Sequence, residues 1–311
     1  MRVTANTYTN SLMDQLNNLS LRQNRLQIQA ATGQRVQSPE DDPSAIRRAL
    51  DLQNEAQMVA QYQKNIATEQ NRAEAVYGAL KSLKTISDRA NEIATRVDEL
   101  KSPTELATYA NEVSELLKQA VQIANTQQNG AYLFAGTRSD QAPFTVTTDA
   151  SNRVASVTYQ GNQSIAPTEI SSGLTLSAQV VGANNTGAGP RGLFADSAAG
   201  ADLFNHLISL QNHLVSGDVA GVINTDRAQL ATDEDNLIWH MAANGVVQSR
   251  LEASASQLND RANTLDSQVT GEVGADFAQT LVQFNATQTA FQAALQSGSQ
   301  IMNLNLMNYL R

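Results

Sequence analysis

Cysteine is absent from the sequence, and aromatic residues make up only 5% of it. Without cysteine the chain has no disulfide bond, no thiolate nucleophile and no thiolate metal ligand. An apolar content of 41% with so few aromatic side chains leaves little material for a large globular core in 311 residues. The composition therefore favours long thin helices, and it leaves the cellular compartment open.

Basic clusters and long apolar runs are also lacking. Arg47-Arg48 is the densest basic pair and the formal net charge is -9, so no patch could displace counterions from nucleic-acid phosphates. The first residues, MRVTANTY, lack the apolar core of a cleaved signal peptide, and no apolar stretch approaches the roughly 20 residues that cross a bilayer. We expect a cytoplasmic protein or one that is exported without a cleaved signal.

The composition changes twice along the chain. Nine of the 17 glycines lie between Gly130 and Gly200, with alternating Thr/Val stretches that predict short strands. The flanks are rich in Ala, Leu, Gln, Asn and Glu, which favour helices. The predicted fold is mainly α: a long antiparallel helical bundle or coiled coil formed by the two flanks, with a small β-rich domain inserted in the middle. The predicted domains are an inner domain of terminal helices (1–45 plus 272–311), a helical rod domain (46–140 plus 205–271) and a β-rich outer domain (141–204).

Helix boundaries are marked by local signals. Asp42 before Pro43 predicts one helix start, and a capping box at Ser102-Pro103-Thr104-Glu105 predicts another. Asn129-Gly130 predicts the end of the helix that the capping box opens. The acidic segment 232–235 predicts a further start, and a break is predicted near Gly271 and Gly274.

The two ends of the chain carry seams of apolar residues that alternate spacings of four and three, as in paired helices. We predict that these seams form the assembly interface. The N-terminal seam consists of Leu12, Leu16, Leu19 and Leu26. The C-terminal seam consists of Phe277, Leu281, Phe284, Phe291, Leu295, Met302 and Tyr309.

The C-terminal helix has no charged residue from Phe277 to Leu310, whereas a solvent-facing helix ordinarily mixes Glu and Lys on its outer face. Uncharged amides and hydroxyls are buried at a smaller cost than charges. We therefore predict that other helices bury this outer face. The alternative is a mildly amphipathic tail that stays mobile in the isolated chain.

Residues suited to catalysis do not form a recognisable set. His206 and His213 lie seven residues apart, but no Asp, Glu or Cys at ligand spacing completes a site with them. Trp239-His240 indicates packing, and the glycine-rich segment 182–189 indicates a flexible loop because it lacks the Lys-Ser/Thr of a phosphate loop. Glu40-Asp41-Asp42 is better explained as a helix cap than as a cation site. We predict no enzyme activity, no cofactor and no metal.

Several segments resemble the flagellin superfamily. Residues 33–43, GQRVQSPEDDP, are similar to the turn that follows the first helix of the family, in a form that contains proline. GAYLFAGT at 130–137, with PF at 143–144 and YQG at 159–161, is similar to the segment that leads into the variable domain of the branch joining hook to filament. This second match is the most specific one.

The C-terminal segments FQAAL (291–295) and LNLMNYL (304–310) resemble the last helix of the family. The resemblance implies an extracellular structural subunit of the bacterial flagellum, at the junction of hook and filament, whose terminal helices line the central channel. It implies as partners other copies of the chain in a ring, the first hook-associated protein, flagellin, a cytoplasmic export chaperone and the flagellar type III export apparatus. Nucleic acid and membrane insertion are not expected.

Two alternatives stay open. A filament flagellin shares the terminal helices and is separated from the junction branch by the proline-containing turn and by Tyr132-Leu133-Phe134. A non-flagellar coiled-coil adhesin or scaffold would need a membrane anchor or a signal peptide.

Overall fold

The computed structural model describes residues 5–309, and the side chains of residues 10–300. The chain is mainly helical, with short strands in its middle, which confirms the predicted fold class. The helices are α1 (Ala5–Thr32), α2 (Pro43–Arg96), α3 (Pro103–Ala124), α4 (Leu203–Ser216), α5 (Val219–Gly221), α6 (Arg227–Val273) and α7 (Phe277–Tyr309). A π-helical turn, Val222–Asp226, joins α5 to α6.

The strands form four small sheets. In chain order they are β1 (Gln127–Gln128), β2 (Ala131–Tyr132), β3 (Phe144–Thr148), β4 (Val154–Tyr159), β5 (Thr168–Ser171), β6 (Leu174–Leu176), β7 (Val181–Asn184), β8 (Gly192–Asp196) and β9 (Ala201–Asp202). The pairs β1–β2, β3–β4 and β5–β6 are antiparallel hairpins. In the three-stranded sheet, β8 runs parallel to β7 and antiparallel to β9.

The chain divides into two compact units. Unit 1 comprises Met1–Met58 and Asp260–Arg311, and unit 2 comprises Val59–Asn259. Helices α2 and α6 therefore contribute residues to both units. The three-part division based on composition stays a prediction.

Both predicted helix starts in the N-terminal flank are confirmed. Asp42 caps α2, because its Oδ1 accepts a hydrogen bond of 3.0 Å from the backbone N–H of Ala45. At α3 the Ser102 Oγ accepts from the Glu105 N–H at 3.3 Å, and the Glu105 carboxylate accepts from the Ser102 N–H at 2.9 Å. Backbone hydrogen bonds lower the pKa of both Asp42 and Glu105, because these bonds favour the carboxylate form.

Most of the other predicted boundaries were wrong. Helix α3 ends at Ala124, and Asn129-Gly130 instead forms the two-residue turn between β1 and β2. Both residues have positive φ, 52° and 80°, which such a hairpin turn requires. The acidic segment 232–235 lies inside α6, which starts at Arg227. The predicted break near Gly271 and Gly274 is confirmed at Gly274, because α6 ends at Val273 and α7 starts at Phe277. The predicted loop at 182–189 begins as part of buried strand β7.

Unit 2 has a core in which aromatic rings meet. The Phe194 ring stacks on Phe204 at 5.2 Å between centroids and meets the edges of Phe134 and Phe144 at 5.4 and 5.0 Å. All four phenylalanines are buried. Tyr159 packs against Phe144, and its hydroxyl donates to the carbonyl of Asn162 at 2.8 Å. The GAYLFAGT, PF and YQG segments therefore each contribute a ring to this core.

Two histidine–aspartate pairs connect α4 to the π-helical turn and to the start of α6. His206 Nδ1 lies 2.8 Å from Asp233 Oδ2, and His213 Nδ1 lies 2.8 Å from Asp226 Oδ2. Asp226 is fully buried in the π-helical turn and also accepts from the Ser209 hydroxyl at 2.8 Å. From His206 to His213 the chain advances by seven residues, whereas from Asp233 to Asp226 it goes back by seven. This pairing is expected for two antiparallel helical segments. The two histidines thus have buried partners that local spacing did not reveal.

The pair of His206 and Asp233 makes stability depend on pH. Burial alone would lower the pKa of His206, but the hydrogen bond to Asp233 and the negative charges of Asp233, Asp202 and Asp226 outweigh burial and raise it above the usual 6.5. Protonation of His206 therefore stabilises the folded state, fully below about pH 6.5, and this stabilisation is lost as the pH rises through the folded-state pKa. Burial also raises the pKa of Asp233 above its usual 3.8. Ionisation of Asp233 therefore costs more in the folded state than in the unfolded state, and this cost begins to lower the stability as the pH rises above about 3.8.

We expect the free energy of unfolding of the natural chain to fall from about pH 6 to about pH 8 by more than that of the His206→Gln variant, which has no titrating ring at this position. Urea unfolding at the two pH values, followed by the fluorescence of Trp239, measures both differences. Titrating groups that do not contact position 206 cancel in this comparison, so the difference reports His206 together with its partner Asp233. Equal falls in the two proteins would show that His206 is not the group responsible.

Candidate assembly interface

Helices α1 and α7 pair in unit 1. They pack along each other in antiparallel orientation, so that Leu12 in the first half of α1 contacts Gly298 in the second half of α7. A Cβ atom at Gly298 would lie 2.6 Å from Leu12 Cδ2, which is closer than any real contact. The absence of a side chain at Gly298 therefore leaves room for the Leu12 side chain at this point.

The face of α7 that is turned away from solvent is made largely of small or uncharged residues. Thr280 and Thr287 are buried, at 6% and 5% exposed, and Phe284 and Phe291 are half-buried on the same face. Each threonine hydroxyl donates at 2.7 Å to the backbone carbonyl four residues earlier, Thr280 to Asp276 just before α7 and Thr287 to Gln283 within it. Because these hydroxyls are satisfied locally, they can be buried at little cost.

The remaining predicted residues of α7 face solvent in the single chain. Phe277 is 58% exposed, Leu295 48% and Leu281 38%, and the neighbouring Val282 is 68% exposed. Only part of the predicted seam thus packs within the chain, while the rest forms an uncovered apolar face. Met302 and Tyr309 have side chains outside the described residues.

Helix α1 divides in the same way. Leu26 is buried, and Leu12, Leu16 and Leu19 are half-buried. The opposite face carries exposed apolar side chains that were not among the predicted residues: Met13, Leu21 and Ile28. Both helices of the pair therefore leave apolar surface uncovered. On α7 this surface is not interrupted by any charged residue.

Hydrogen bonds connect the segment between α1 and α2 to the end of α6 and the loop before α7. Arg35 N–H donates to the Val273 carbonyl at 2.7 Å, and Ala275 N–H donates to the Gly33 carbonyl at 2.8 Å. The Arg35 guanidinium also donates to the Glu272 carbonyl at 2.9 Å. The turn at 33–43, which leads into α2 and resembles the family segment, is therefore bonded to the end of α6 and to the loop before α7.

Two ion pairs add to this connection. Arg48 Nη2 lies 2.7 Å from Glu272 Oε2, and its hydrogen bond lowers the pKa of that carboxyl. Arg35 Nη1 lies 3.6 Å from Asp42 Oδ2. These groups are partly exposed, so each pair contributes little to stability, and the backbone bonds carry most of the connection.

A metal centre and a membrane span are two other features that a functional site could involve. Within 10–300 no group of three or more His, Asp or Glu side chains could hold a metal ion. Among the described helices none is both long and apolar enough to cross a membrane. The uncovered faces of α1 and α7 are therefore the most distinctive surface of unit 1.

Comparison with known proteins gives matches along the whole chain. The family model of the bacterial flagellin N-terminal helical region matches residues 3–139, and that of the bacterial flagellin C-terminal helical region matches residues 235–310. Together they cover more than half of the chain. The chain is 24% identical to flagellar hook-associated protein 3 of Salmonella typhimurium over 331 aligned residues, which cover 100% of both proteins.

Solved structures are similar as well. FlgL of Xanthomonas campestris has a TM-score of 0.58 at 16% identity, with 70% of this chain and 99% of that chain covered. FlgL of Bacillus cereus has a TM-score of 0.56 at 21% identity, with 71% of this chain and 99% of that chain covered. At these identities the structural matches show a shared fold.

Proposed function

The chain belongs to the bacterial flagellin family, and from this membership we propose that it is a structural subunit of the flagellum that joins hook to filament. The alignment with flagellar hook-associated protein 3 of Salmonella typhimurium runs through the middle region, which the two family models do not reach. This continuity favours the junction branch over a filament flagellin. The Tyr132-Leu133-Phe134 segment, which distinguishes the branch in sequence, supports the same choice.

The observation that carries the proposal is the uncovered apolar face of the α1–α7 pair. Exposed side chains such as Val282, Phe277 and Leu21 would cost free energy in solvent, whereas packing against neighbouring subunits would remove them from water. A helix without charge suits such burial, because no ionised group has to be desolvated. We propose that the predicted seam residues, including Met302 and Tyr309, act in this interface.

The same proposal covers partners and location. The chain would assemble as a ring, outside the cell, with the first hook-associated protein on one side and flagellin on the other. It would reach this place unfolded through the flagellar type III export apparatus, with a cytoplasmic chaperone bound to the C-terminal helix. The proposed role is structural and non-enzymatic, without a cofactor.

A deletion strain tests the proposal. Cells that lack the chain should build hooks, fail to grow filaments and shed flagellin monomers into the medium, because nothing would hold the first filament subunits. Electron microscopy of the cells and electrophoresis of the culture medium measure both effects. Filaments of normal length in the deletion strain would contradict the junction role.

The abundance of the chain in isolated flagella separates the two flagellar alternatives. A junction subunit should be a minor component beside a major flagellin band. If the chain itself forms the filament, it should be the major band, and its deletion strain should shed no flagellin.

A further inference from the structure

The turn between α2 and α3 holds Leu100 out in solvent. Its side chain is 92% exposed, the highest value for a large apolar residue among those described. The Leu100 N–H donates to Asp98 Oδ1 at 3.1 Å, and the Lys101 N–H donates to the Asp98 carbonyl at 3.2 Å. Val97, just before the turn, is fully buried, and its carbonyl accepts from Arg227 Nη2 at 2.8 Å. The backbone of the turn is therefore anchored, and it presents the Leu100 side chain to solvent.

An apolar groove lies elsewhere in unit 2, beside α6. It has a volume of about 180 Å³, and its lining includes Ile165, Ala178, Val180, Pro190, Trp239 and Val247. Trp239 is 45% exposed, and the Arg191 guanidinium lies 4.8 Å from the centre of its ring. Tryptophan and arginine are the side chains that most often dominate the binding energy of protein interfaces. The groove thus has the chemistry of a docking site for a protein.

The charges of the turn and the groove are complementary. Burial lowers the pKa of His240 to about 4, so that this groove residue is neutral at neutral pH. Among the described lining residues this leaves Arg191 as the charged one, and its guanidinium donates to the uncharged Asn236 at 2.6 Å. The turn carries Asp98, Glu99 and Lys101, so its net charge is negative, and neither carboxylate forms a salt bridge to another described residue. Opposite charges at two surfaces favour their encounter and fix their register.

The turn and the groove lie apart on the same unit. Arg227, at the start of α6, contacts the turn, whereas Trp239 and Val247 follow roughly 12 and 20 residues later, about 18 to 30 Å along the helix. One copy therefore does not fill its own groove with its own turn. A contact between copies would join two different surfaces, and such heterologous contacts produce rings or helical arrays.

We propose that Leu100 of one copy docks into the groove beside Trp239 of the next copy, with Asp98 and Glu99 facing Arg191. The docked partner is a second copy of this chain, because a ring requires complementary surfaces at its two sides. The inference rests on the proposed function, in which copies of the chain assemble side by side. It adds a contact within unit 2 that is separate from the terminal helices.

Disulfide trapping tests the contact on a background without natural cysteine. Cells would carry the Leu100→Cys/Ala243→Cys variant as their sole copy, since Ala243 also lines the groove. Bridging requires Cα atoms about 4.4 to 6.8 Å apart, so only docked neighbours should react. We expect most of the chain in isolated, oxidised flagella to run as a ladder of multimers that collapses to monomer on reduction.

The matched control is Leu100→Cys/Ser249→Cys, because Ser249 is exposed on the same helix but lies on the side away from the groove residues Ala243 and Val247. This variant should stay monomeric. A monomeric double variant in flagella that contain the chain, or equal ladders in both variants, would overturn the docking and leave the proposed function in place. Flagella of normal length that lack the chain would overturn both.

Discussion

Replacing Phe284 with Asp should abolish incorporation of the chain into flagella while unit 2 stays folded. Phe284 is half-buried where α7 packs on α1, and α7 has no basic residue of its own to pair with a carboxylate there. Arg22 and Arg25 of α1, however, share a cleft with the neighbouring Gln283. A carboxylate here removes the buried part of the ring and has to be partly desolvated, which costs on the order of 1–3 kcal/mol. Swimming assays and immunoblots of isolated flagella measure assembly, and the fluorescence of Trp239 reports whether unit 2 has folded.

Two further variants separate the two faces of α7. Phe284→Leu keeps an apolar side chain in the contact and should assemble. Val282→Asp places the same carboxylate on the same helix, but at a position that is 68% exposed in the single chain. If neighbours bury that face, Val282→Asp should also block assembly although the α1–α7 contact is left intact. Normal motility of Phe284→Asp would refute the role of the seam, and normal motility of Val282→Asp would refute burial of the outer face.

The rhythm of the terminal seams could be predicted from the sequence, but the way α7 turns toward its partner could not. Spacings of four and three fit two overlapping sets of positions on α7, and bulk alone favours the set that contains Phe277, Leu281 and Leu295. The structure instead turns Thr280 and Thr287 inward, together with Phe284 and Phe291. Threonine tolerates this burial because each hydroxyl donates to a backbone carbonyl one turn earlier.

Helix ends show which signals a sequence carries reliably. The capping box of Ser102 and Glu105 is complete within three residues, so its geometry follows from local sequence. Asn129-Gly130 is ambiguous, because a residue pair that tolerates positive φ suits both a helix end and a hairpin turn. The strands on either side, which are only two residues long, were too short to decide between them.

Partners that lie far apart in sequence escaped prediction altogether. Asp233 is 27 residues from His206, and Asp226 is 13 residues from His213, so a search for ligands at helical spacing finds neither. The repeated interval of seven in both the histidines and the aspartates was the available signal. It has meaning only once α4 is known to fold back antiparallel to the helix that carries the aspartates.

Replacing Phe194 with Ala should destabilise unit 2 by about 3–5 kcal/mol, because the truncation removes a buried ring and leaves a cavity. The Phe194 ring is fully buried and contacts three other phenylalanine rings, so little of the space can be refilled by a single neighbour. Urea unfolding followed by Trp239 fluorescence measures the loss, since Trp239 is the only tryptophan and lies in unit 2.

The matched control is Val146→Ala on β3, where the side chain is 38% exposed. Its truncation removes less buried surface and should shift the free energy of unfolding by no more than about 0.5 kcal/mol. Phe194 and its neighbours Phe144 and Phe204 come from β8, β3 and α4, so the cluster ties the β-rich middle to the helices. If both variants lose the same stability, the aromatic cluster does not hold these parts of unit 2 together, and their association must depend on aliphatic side chains of the strands in the same core, such as Val154 and Leu193.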